Sequence, residues 1–438
     1  MATSNGDSNQ NGSDHLEIPE TSSKLSLATL GVHADDPINS YTDVAPALHV
    51  SSTFRYPRNP DDLKTEHELN IPELFPAGGP AKSDAHIYSR LTAPNASRLE
   101  LLLSEIIGGP VLTYSSGLSA FHALLTWLHP KVVAIGKGYH GCHGVLKVYQ
   151  KLTGCKIVHL FDEKSWDEAG MGEGDVVHLE TPVNPNGIAY NVEEFAAKAH
   201  RRGARLTIDA TFAPPPLLDP WKWGADFIMH SGTKYIGGHS DMLCGVIATG
   251  KHRQGWEKDY WGMFEERIYL GSMMGSMEGW LGVRSLRTFE LRVKRQSENA
   301  TRLVSFLQAC LDGDASASDL EDVDGAESVR KVLAHIDHAS LQKEDMSWLK
   351  KQMPNGYGPV FAITTKTAAS AKRLPSKLNL FHHATSLGGV ESLIEWRSMS
   401  DPSVEPTLLR VSVGVEDFED LKADLVQGFK ALAKEGSV

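Results

Sequence analysis

The sequence predicts an α/β protein with a mostly parallel central sheet flanked by helices, followed by a smaller α+β domain at its C-terminal end. Three observations carry that expectation. Short apolar runs recur with polar residues at or just beyond their ends: Asp175-Val-Val-His-Leu-Glu180, Ala204-Arg-Leu-Thr-Ile-Asp209, and Phe227-Ile-Met229 leading into Ser231. Between the first two lies a helical pattern over 191–202, with Asn191 as cap, Glu194 three residues on, apolar Phe195, Ala196 and Ala199, and Gly203 as the stop. Strand–helix–strand order of this kind implies parallel neighbours. After Gly250 the pattern turns helical, then offers strand candidates and a terminal amphipathic helix, as a second unit of different build would.

Size and charge narrow the class. At 438 residues the chain suits two domains plus an arm, and its formal charge of −12 argues against a nucleic-acid partner, which needs clustered Lys and Arg. No apolar run reaches the length of a bilayer span, and the N-terminus lacks the basic start and apolar centre of a secretory signal, so neither a membrane nor secretion is expected. Cys142, Cys155, Cys244 and Cys310 form no CxxC pair, which fits reduced thiols in a cytoplasmic protein.

Taken in order, residues 1–24 are Ser-, Asn-, Gly- and Asp-rich and are expected to be disordered. An arm over 25–84 follows and holds Pro46-Ala-Leu-His-Val-Ser-Ser-Thr-Phe54. Ser97 and Glu100 read as a capping box for a helix carrying Leu99, Leu102, Leu103 and Ile106 until Gly108-Gly109. A strand from Val111 breaks at Ser116-Gly117-Leu118 into a helix, and a helix N-terminus with free N–H groups is a phosphate site. The strand Lys131–Ile135 runs into Gly136-Lys-Gly-Tyr-His-Gly-Cys-His143. His140, Cys142 and His143 invite a zinc reading, but no second ligand pair completes the four that structural zinc wants, so no metal is assigned. Val246–Thr249 closes the strand series, and long helices are expected from Met277 to Phe289 and on to Cys310. Residues 312–327 read as an acidic solvated loop. Val360–Ile363 and Leu408–Ser412 read as strands, and Phe418, Leu421, Leu425, Phe429 and Leu432 mark one face of the last helix. The large domain is drawn at 85–287 and the C-terminal domain at 288–438.

The chemistry centres on Gly224–Gly245. Lys234 follows a strand and is flanked at alternate positions by Ser231 and Thr233, which an extended backbone would aim to one side, where they could hold a phosphate. A partly buried amine loses proton affinity and can form a Schiff base. Asp209, Glu180 and Asn184 stand at the ends of neighbouring strands, where open α/β sheets bind ligands. A lysine with an Asp partner for a pyridinium nitrogen points to pyridoxal 5′-phosphate.

The string His230-Ser-Gly-Thr-Lys-Tyr-Ile-Gly-Gly-His-Ser-Asp241 resembles the Cys/Met-metabolism group of fold-type I pyridoxal-phosphate-dependent transferases and lyases, and the resemblance runs from about Pro46 to the C-terminus. It implies that Lys234 holds the cofactor and then acts as base, Asp209 partners the ring nitrogen, Asn184 bonds the ring hydroxyl, and Tyr139 stacks on the ring and shuttles a proton. Ser116, Gly117 and Leu118, with Ser231 and Thr233, would take the phosphate, joined by Tyr88 and Arg90 from a neighbouring subunit. Arg410 would grip the substrate α-carboxylate, with Ser386 and Glu180 beside it. The arm 25–84 would serve a neighbouring subunit in a homotetramer built as a dimer of dimers. The implied activity is γ-replacement on an O-acylated L-homoserine such as O-acetyl-L-homoserine, through a vinylglycine-type intermediate, with a thiol, carbon or nitrogen nucleophile as acceptor. It is similar in this to a fungal γ-synthase-like branch. The alternative is a C–S lyase on cystathionine or methionine. Ala210, Gln296, the 275–280 stretch and the shortened 394–402 segment depart from the group's usual pattern, so a reshaped nucleophile pocket is expected.

Overall fold

The computed structural model describes residues 25–39, 42–81, 85–313 and 322–435; the tail 1–24 lies outside them. Among the described residues the large sheet contains β1 (Val111–Tyr114), β2 (Val132–Ile135), β3 (Lys156–His159), β4 (Val176–Glu180), β5 (Arg205–Asp209), β6 (Phe227–Ser231) and β7 (Gly245–Thr249). Their order is β1-β7-β6-β5-β4-β2-β3, and every pair is parallel except those made by β7. Most of these strands are apolar and buried along their length because helices cover both faces. Parallel register sets Glu180 opposite Asp209, and Asp209 opposite Met229. Three strands therefore end side by side, which makes the crevice.

The smaller sheet contains β8 (Leu333–Asp337), β9 (Val360–Thr365), β10 (His382–His383), β11 (Leu393–Trp396) and β12 (Leu408–Ser412), in the order β10-β11-β12-β9-β8. It is antiparallel apart from the β10–β11 pair. The helices Phe289–Asp312, Val323–Val332 and Phe418–Lys434 pack on it through Leu303, Leu307, Val329, Leu421, Leu425 and Phe429. Ala339, Leu349, Met353 and Leu387 pack instead into the core of the larger sheet, so the two sheets share a continuous apolar seam. This is the fold-type I α/β architecture that the sequence implied.

Two local expectations are corrected. The helix read as starting at Ser97 begins at Pro94, whose fixed φ and missing N–H suit a first turn, so Ser97 lies inside it. Glu100 then accepts from Thr113 N and Oγ1 and pairs with Arg267 rather than closing a capping box. The acidic stretch after Asp312 is not loop throughout: Asp322 caps a helix from Val323 by accepting from Gly325 N, and residues 314–321 lie outside the described residues.

One buried carboxylate is among the ties that fasten the arm, beside the bonds of Asn95 to His49 N and Ala47 O and of Trp280 Nε1 to Pro46 O. Asp35 is fully buried and bonds Arg98 Nη1 at 2.8 Å and Arg287 Nη1 and Nη2 at 2.6 and 2.8 Å. Burial alone would raise its pKa; the two guanidiniums overcome that and hold it below the usual carboxylate range. Asp35→Asn is therefore expected to cost about 3 kcal/mol by leaving two guanidiniums short of their acid. A depressed carboxylate contributes above its ordinary pKa and loses that contribution as pH falls. Melting curves should show the gap between wild type and variant wide at pH 7 and narrowing below about pH 4.

Candidate active site

The ends of β4, β5 and β6, the turn after β1 and the edge of the small sheet close around one cavity of about 360 Å³. Asp209 stands in its wall as the last residue of β5. Thr211 N and Oγ1 both bond Asp209 Oδ1, at 3.0 and 2.5 Å, while Oδ2 accepts no hydrogen bond among the described residues. Burial raises the pKa of Asp209 and the Thr211 bonds pull it back. A cation facing Oδ2 would restore the ionised form.

Glu180 has a different task. Its Oε2 accepts from Tyr139 N and its Oε1 from Asn184 N, both at 2.7 Å. Burial first, then Asp209, pushes it up to about 8 against those two donors. Glu180 thereby fixes the backbone of Tyr139 and Asn184, whose side chains line the cavity.

Lys234 does not lie on an extended backbone as the sequence suggested. The strand ends at Ser231, the chain turns from Gly232 to Gly237, and Lys234 N bonds Ser231 O at 3.1 Å. Thr233 is held in that turn by Cys244, giving its Oγ1 hydrogen to Cys244 O and accepting from Cys244 N at 3.0 Å. The Lys234 amine points into the cavity and donates to Ser386 Oγ at 2.6 Å. Burial, then the nearby Arg410 charge, lowers it to about 8, with Glu395 opposing. Much of this amine is therefore neutral near pH 8, where an ordinary lysine is not. Ser386 adopts φ 76°, a left-handed backbone rare for a residue with a side chain.

Arg410 on β12 faces Glu395 on β11 in register. Its Nη2 donates to Glu395 Oε2 at 2.6 Å and to Ser386 O at 2.7 Å, and its Nη1 to Asn184 Oδ1 at 3.2 Å. Burial lowers it to about 10. On the opposite side Ser116 caps the helix Gly117–Leu128 through Ser119 N. A Cβ on Gly117 would come within 3.1 Å of the Ser231 side chain, so the glycine lets the helix start and Ser231 close on one spot. Leu118 lines the same corner.

Tyr88 and Arg90 are not brought to this cavity. Tyr88 pairs with Thr53 in an isolated bridge, and the Arg90 guanidinium lies 5.2 Å from the Tyr88 ring centre. The His140, Cys142 and His143 of the zinc reading diverge: His143 Nε2 meets Gly136 O, while His140 Nδ1 is 3.9 Å from Asp401. Cys142 instead converges with His178 and Asp209, their ligand atoms all within 4.8 Å. Burial, then Asp209, raises the Cys142 thiol, which keeps its proton, and burial drops His178 to about 3. Cys142 and His178 are thus uncharged neighbours of Asp209. Sequence reasoning missed Glu395, Arg397 and Thr211. An acid inside the apolar run Leu393-Ile-Glu-Trp396, at an alternate position from Leu393, was a legible sign of a buried pair.

Comparison with known proteins gives the family. The sequence pattern of the Cys/Met metabolism PLP-dependent enzymes matches residues 28–430. Cystathionine γ-synthase of Escherichia coli K12 is 30% identical over 432 residues, covering 93% of this chain and 98% of that protein. A cystathionine β-lyase of Lactococcus lactis subsp. cremoris MG1363 is 27% identical over 388 residues, covering 84% of this chain and 95% of its own. The crystal structure of apo CalE6, a methionine γ-lyase from Micromonospora echinospora, superposes with a TM-score of 0.75 at 28% identity, covering 93% of this chain and all of that one. The chain belongs to the Cys/Met-metabolism family of enzymes that depend on pyridoxal 5′-phosphate.

Proposed function

We propose that this enzyme carries out γ-replacement on an O-acylated L-homoserine such as O-acetyl-L-homoserine, exchanging the acyloxy group for a thiol, carbon or nitrogen nucleophile. The observation that carries the reading is the convergence of the Lys234 amine, Arg410 and the open oxygen of Asp209 on one cavity. These residues fit pyridoxal phosphate, which when bound supplies an aldehyde for an amine and a ring that accepts electrons from Cα.

In this reading Lys234 holds the cofactor, and once displaced its amine takes the Cα proton and later a Cβ proton. Ser386 Oγ keeps that amine on station. Asp209, through the Oδ2 that Thr211 leaves open, would partner the ring nitrogen and hold its proton. Asn184 would bond the ring hydroxyl, and Tyr139 would cover the ring and relay a proton. Ser116, Gly117 and Leu118, with Ser231, would take the phosphate, and Thr233 would join them by turning its hydroxyl away from Cys244 O. Arg410 binds the substrate carboxylate by exchanging part of its contact with Glu395 and Asn184, beside Ser386 and Glu180. Tyr88 and Arg90, which stand apart from their own cavity, serve that of a neighbouring copy, so the active unit is at least a dimer and is read as a homotetramer. The arm 25–84, the 85–287 domain and the 288–438 domain divide this work as arm, cofactor platform and carboxylate clamp.

Replacement is the reading taken first from the resemblance to a γ-synthase-like branch, and the 394–402 segment, which departs from the usual pattern, lines the cavity through Arg397 and Ser400. The segment brings Glu395, Arg397 and Ser400 around Arg410, with Ser400 Oγ bonded to Glu395 at 2.6 Å. The second reading, a C–S lyase on cystathionine or methionine, is favoured by lyase relatives at similar identity.

Mass spectrometry of products from O-acetyl-L-homoserine separates the two readings. With a thiol acceptor present a new amino acid should form at least about tenfold faster than 2-oxobutanoate. Rapid 2-oxobutanoate without acceptor would establish the lyase instead.

The pH dependence of cofactor capture tests the lysine. The rate at which apoenzyme takes up pyridoxal phosphate, followed by visible absorbance, should rise with pH and level off beyond an inflection near 8. Arg410→Met should move that inflection upward, because the arginine's charge disfavours the protonated amine. An inflection unmoved by the substitution contradicts the assignment.

A further inference from the structure

His140 lines the cavity and has no task in the reaction as read so far. It opens the helix His140–Thr153 directly after Tyr139, and its side chain is 47% exposed. Its Nδ1 turns toward Asp401 Oδ2, 3.9 Å away, and no group among the described residues hydrogen-bonds its Nε2. Asp401 is nearly buried and held in place: Ser403 N and Oγ bond its Oδ1 at 3.0 and 2.6 Å. That leaves Oδ2 for His140 and for Arg397 Nη2, which also lies 3.9 Å off. Burial works against the charge on Asp401, but the Ser403 bonds, then the His140 and Arg397 charges, hold it below the usual carboxylate range. An ionised acid behind one imidazole nitrogen, with the other nitrogen unengaged at a cavity, is the arrangement of an oriented general base. Catalytic hydrogen bonds are often long before substrate binds, and a small side-chain rotation would close this gap.

The other titratable groups in the lining are occupied. Lys234 donates to Ser386 and serves the Cα and Cβ protons, and Glu180 takes the Tyr139 and Asn184 amides. Asp209 ends β5 where the ring nitrogen would sit. Burial, then Cys142, raises the Tyr139 phenol, which makes it a poor base near neutral pH. Arg397 is buried, gives Nη1 to Glu395 and keeps an Nε with no acceptor among the described residues. Replacement still needs a base for the incoming group. A thiol, an activated C–H or an ammonium carries a proton that must leave before its electron pair can attack.

We propose that His140 is the base for the acceptor and that Asp401 orients it. Nε2 takes the S–H, C–H or N–H proton of the acceptor, and the freed electron pair bonds to the γ-carbon. The acyloxy group has left that carbon as a carboxylate, carrying the electrons of the Cγ–O bond. The imidazolium then returns its proton to solvent at its exposed edge. Ester plus protonated acceptor thus give the new amino acid, a carboxylate and one proton. The inference rests on the γ-replacement reading and adds to it a catalytic residue, His140, and a positioning residue, Asp401. The competing role is steric, with His140 shaping the mouth of the cavity and handling no proton.

Two pairs of acceptors, alike in shape and unlike in acidity, decide it with the holoenzyme and O-acetyl-L-homoserine. They are ethanethiol with 2,2,2-trifluoroethanethiol, and acetylacetone with 1,1,1-trifluoroacetylacetone. At about pH 8 the fluorinated member of each pair is largely anionic and its partner largely protonated, so only the partner needs a base. The readout is kcat/KM for the acceptor, in whichever pair wild type uses. His140→Asn should lower it by about 30-fold or more with the protonated member and by no more than about threefold with the anion. Asp401→Asn should show the same contrast in smaller measure. Equal losses across a pair, the outcome of a steric role, overturn the proposal, and so does no loss at all. If His140→Asn does not fold, Asp401→Asn decides by the same contrast: a loss confined to the protonated member supports the proposal, and an equal or absent loss overturns it. Wild type that forms no new amino acid from any of the four acceptors fails the γ-replacement reading and the proposal with it, whereas equal losses in His140→Asn leave that reading standing.

Discussion

Lys234 keeps its amine inside the protein, 2.6 Å from Ser386 Oγ and within the field of Arg410, and much of the surrounding structure serves that placement. Burial removes the hydration that would stabilise an ammonium, and a neighbouring guanidinium disfavours it further. The same guanidinium is needed to meet an anion, so it cannot simply be dispensed with. Glu395 reconciles the two demands. It pairs with Arg410 and Arg397 through one oxygen, limiting the positive field at Lys234 while leaving both arginines at the cavity surface. A buried ion cluster of this sort adds little net stability, and its value lies in fixed geometry.

That geometry depends on the small sheet docking on the lysine turn. Gly388, at φ +84°, is the contact: a Cβ there would sit 2.9 Å from the Lys234 carbonyl carbon. Its N–H bonds Ser412 Oγ, and the carbonyl of the next residue, Gly389, accepts from Gln296 Nε2 at 2.6 Å. Gln296 was flagged as a departure near the substrate. It is instead a buried strut under the Ser386–Gly389 loop, which explains how a change of residue type there leaves the lysine side of the site intact.

The large sheet was legible because its signals are local. Buried parallel strands read as continuous apolar runs, and Glu180, Asp209 and Ser231 mark where those runs end. The Asn191 cap behaved as read, accepting from Glu194 N. What escaped was set by tertiary context. The edge strand Lys156–His159 is short and half-exposed, and Leu333–Asp337 follows a helix without a turn residue between them. Pro94 outcompeted Ser97 for the helix start because a proline needs no partner for its nitrogen. At the site, Lys234, Asp209 and Arg410 could be named because each sits at a strand end or within a recognisable string. Arg397 could not, since an arginine in sequence gives no hint that it is buried with an unmatched Nε.

The central claim is that one buried amine carries the cofactor. Borohydride reduction of the holoenzyme followed by peptide mapping tests it most directly: the pyridoxyl mass should fall on the peptide containing Lys234 and be missing from Lys234→Ala. A tag on another lysine, or a protein that takes up no pyridoxal phosphate, would contradict the account.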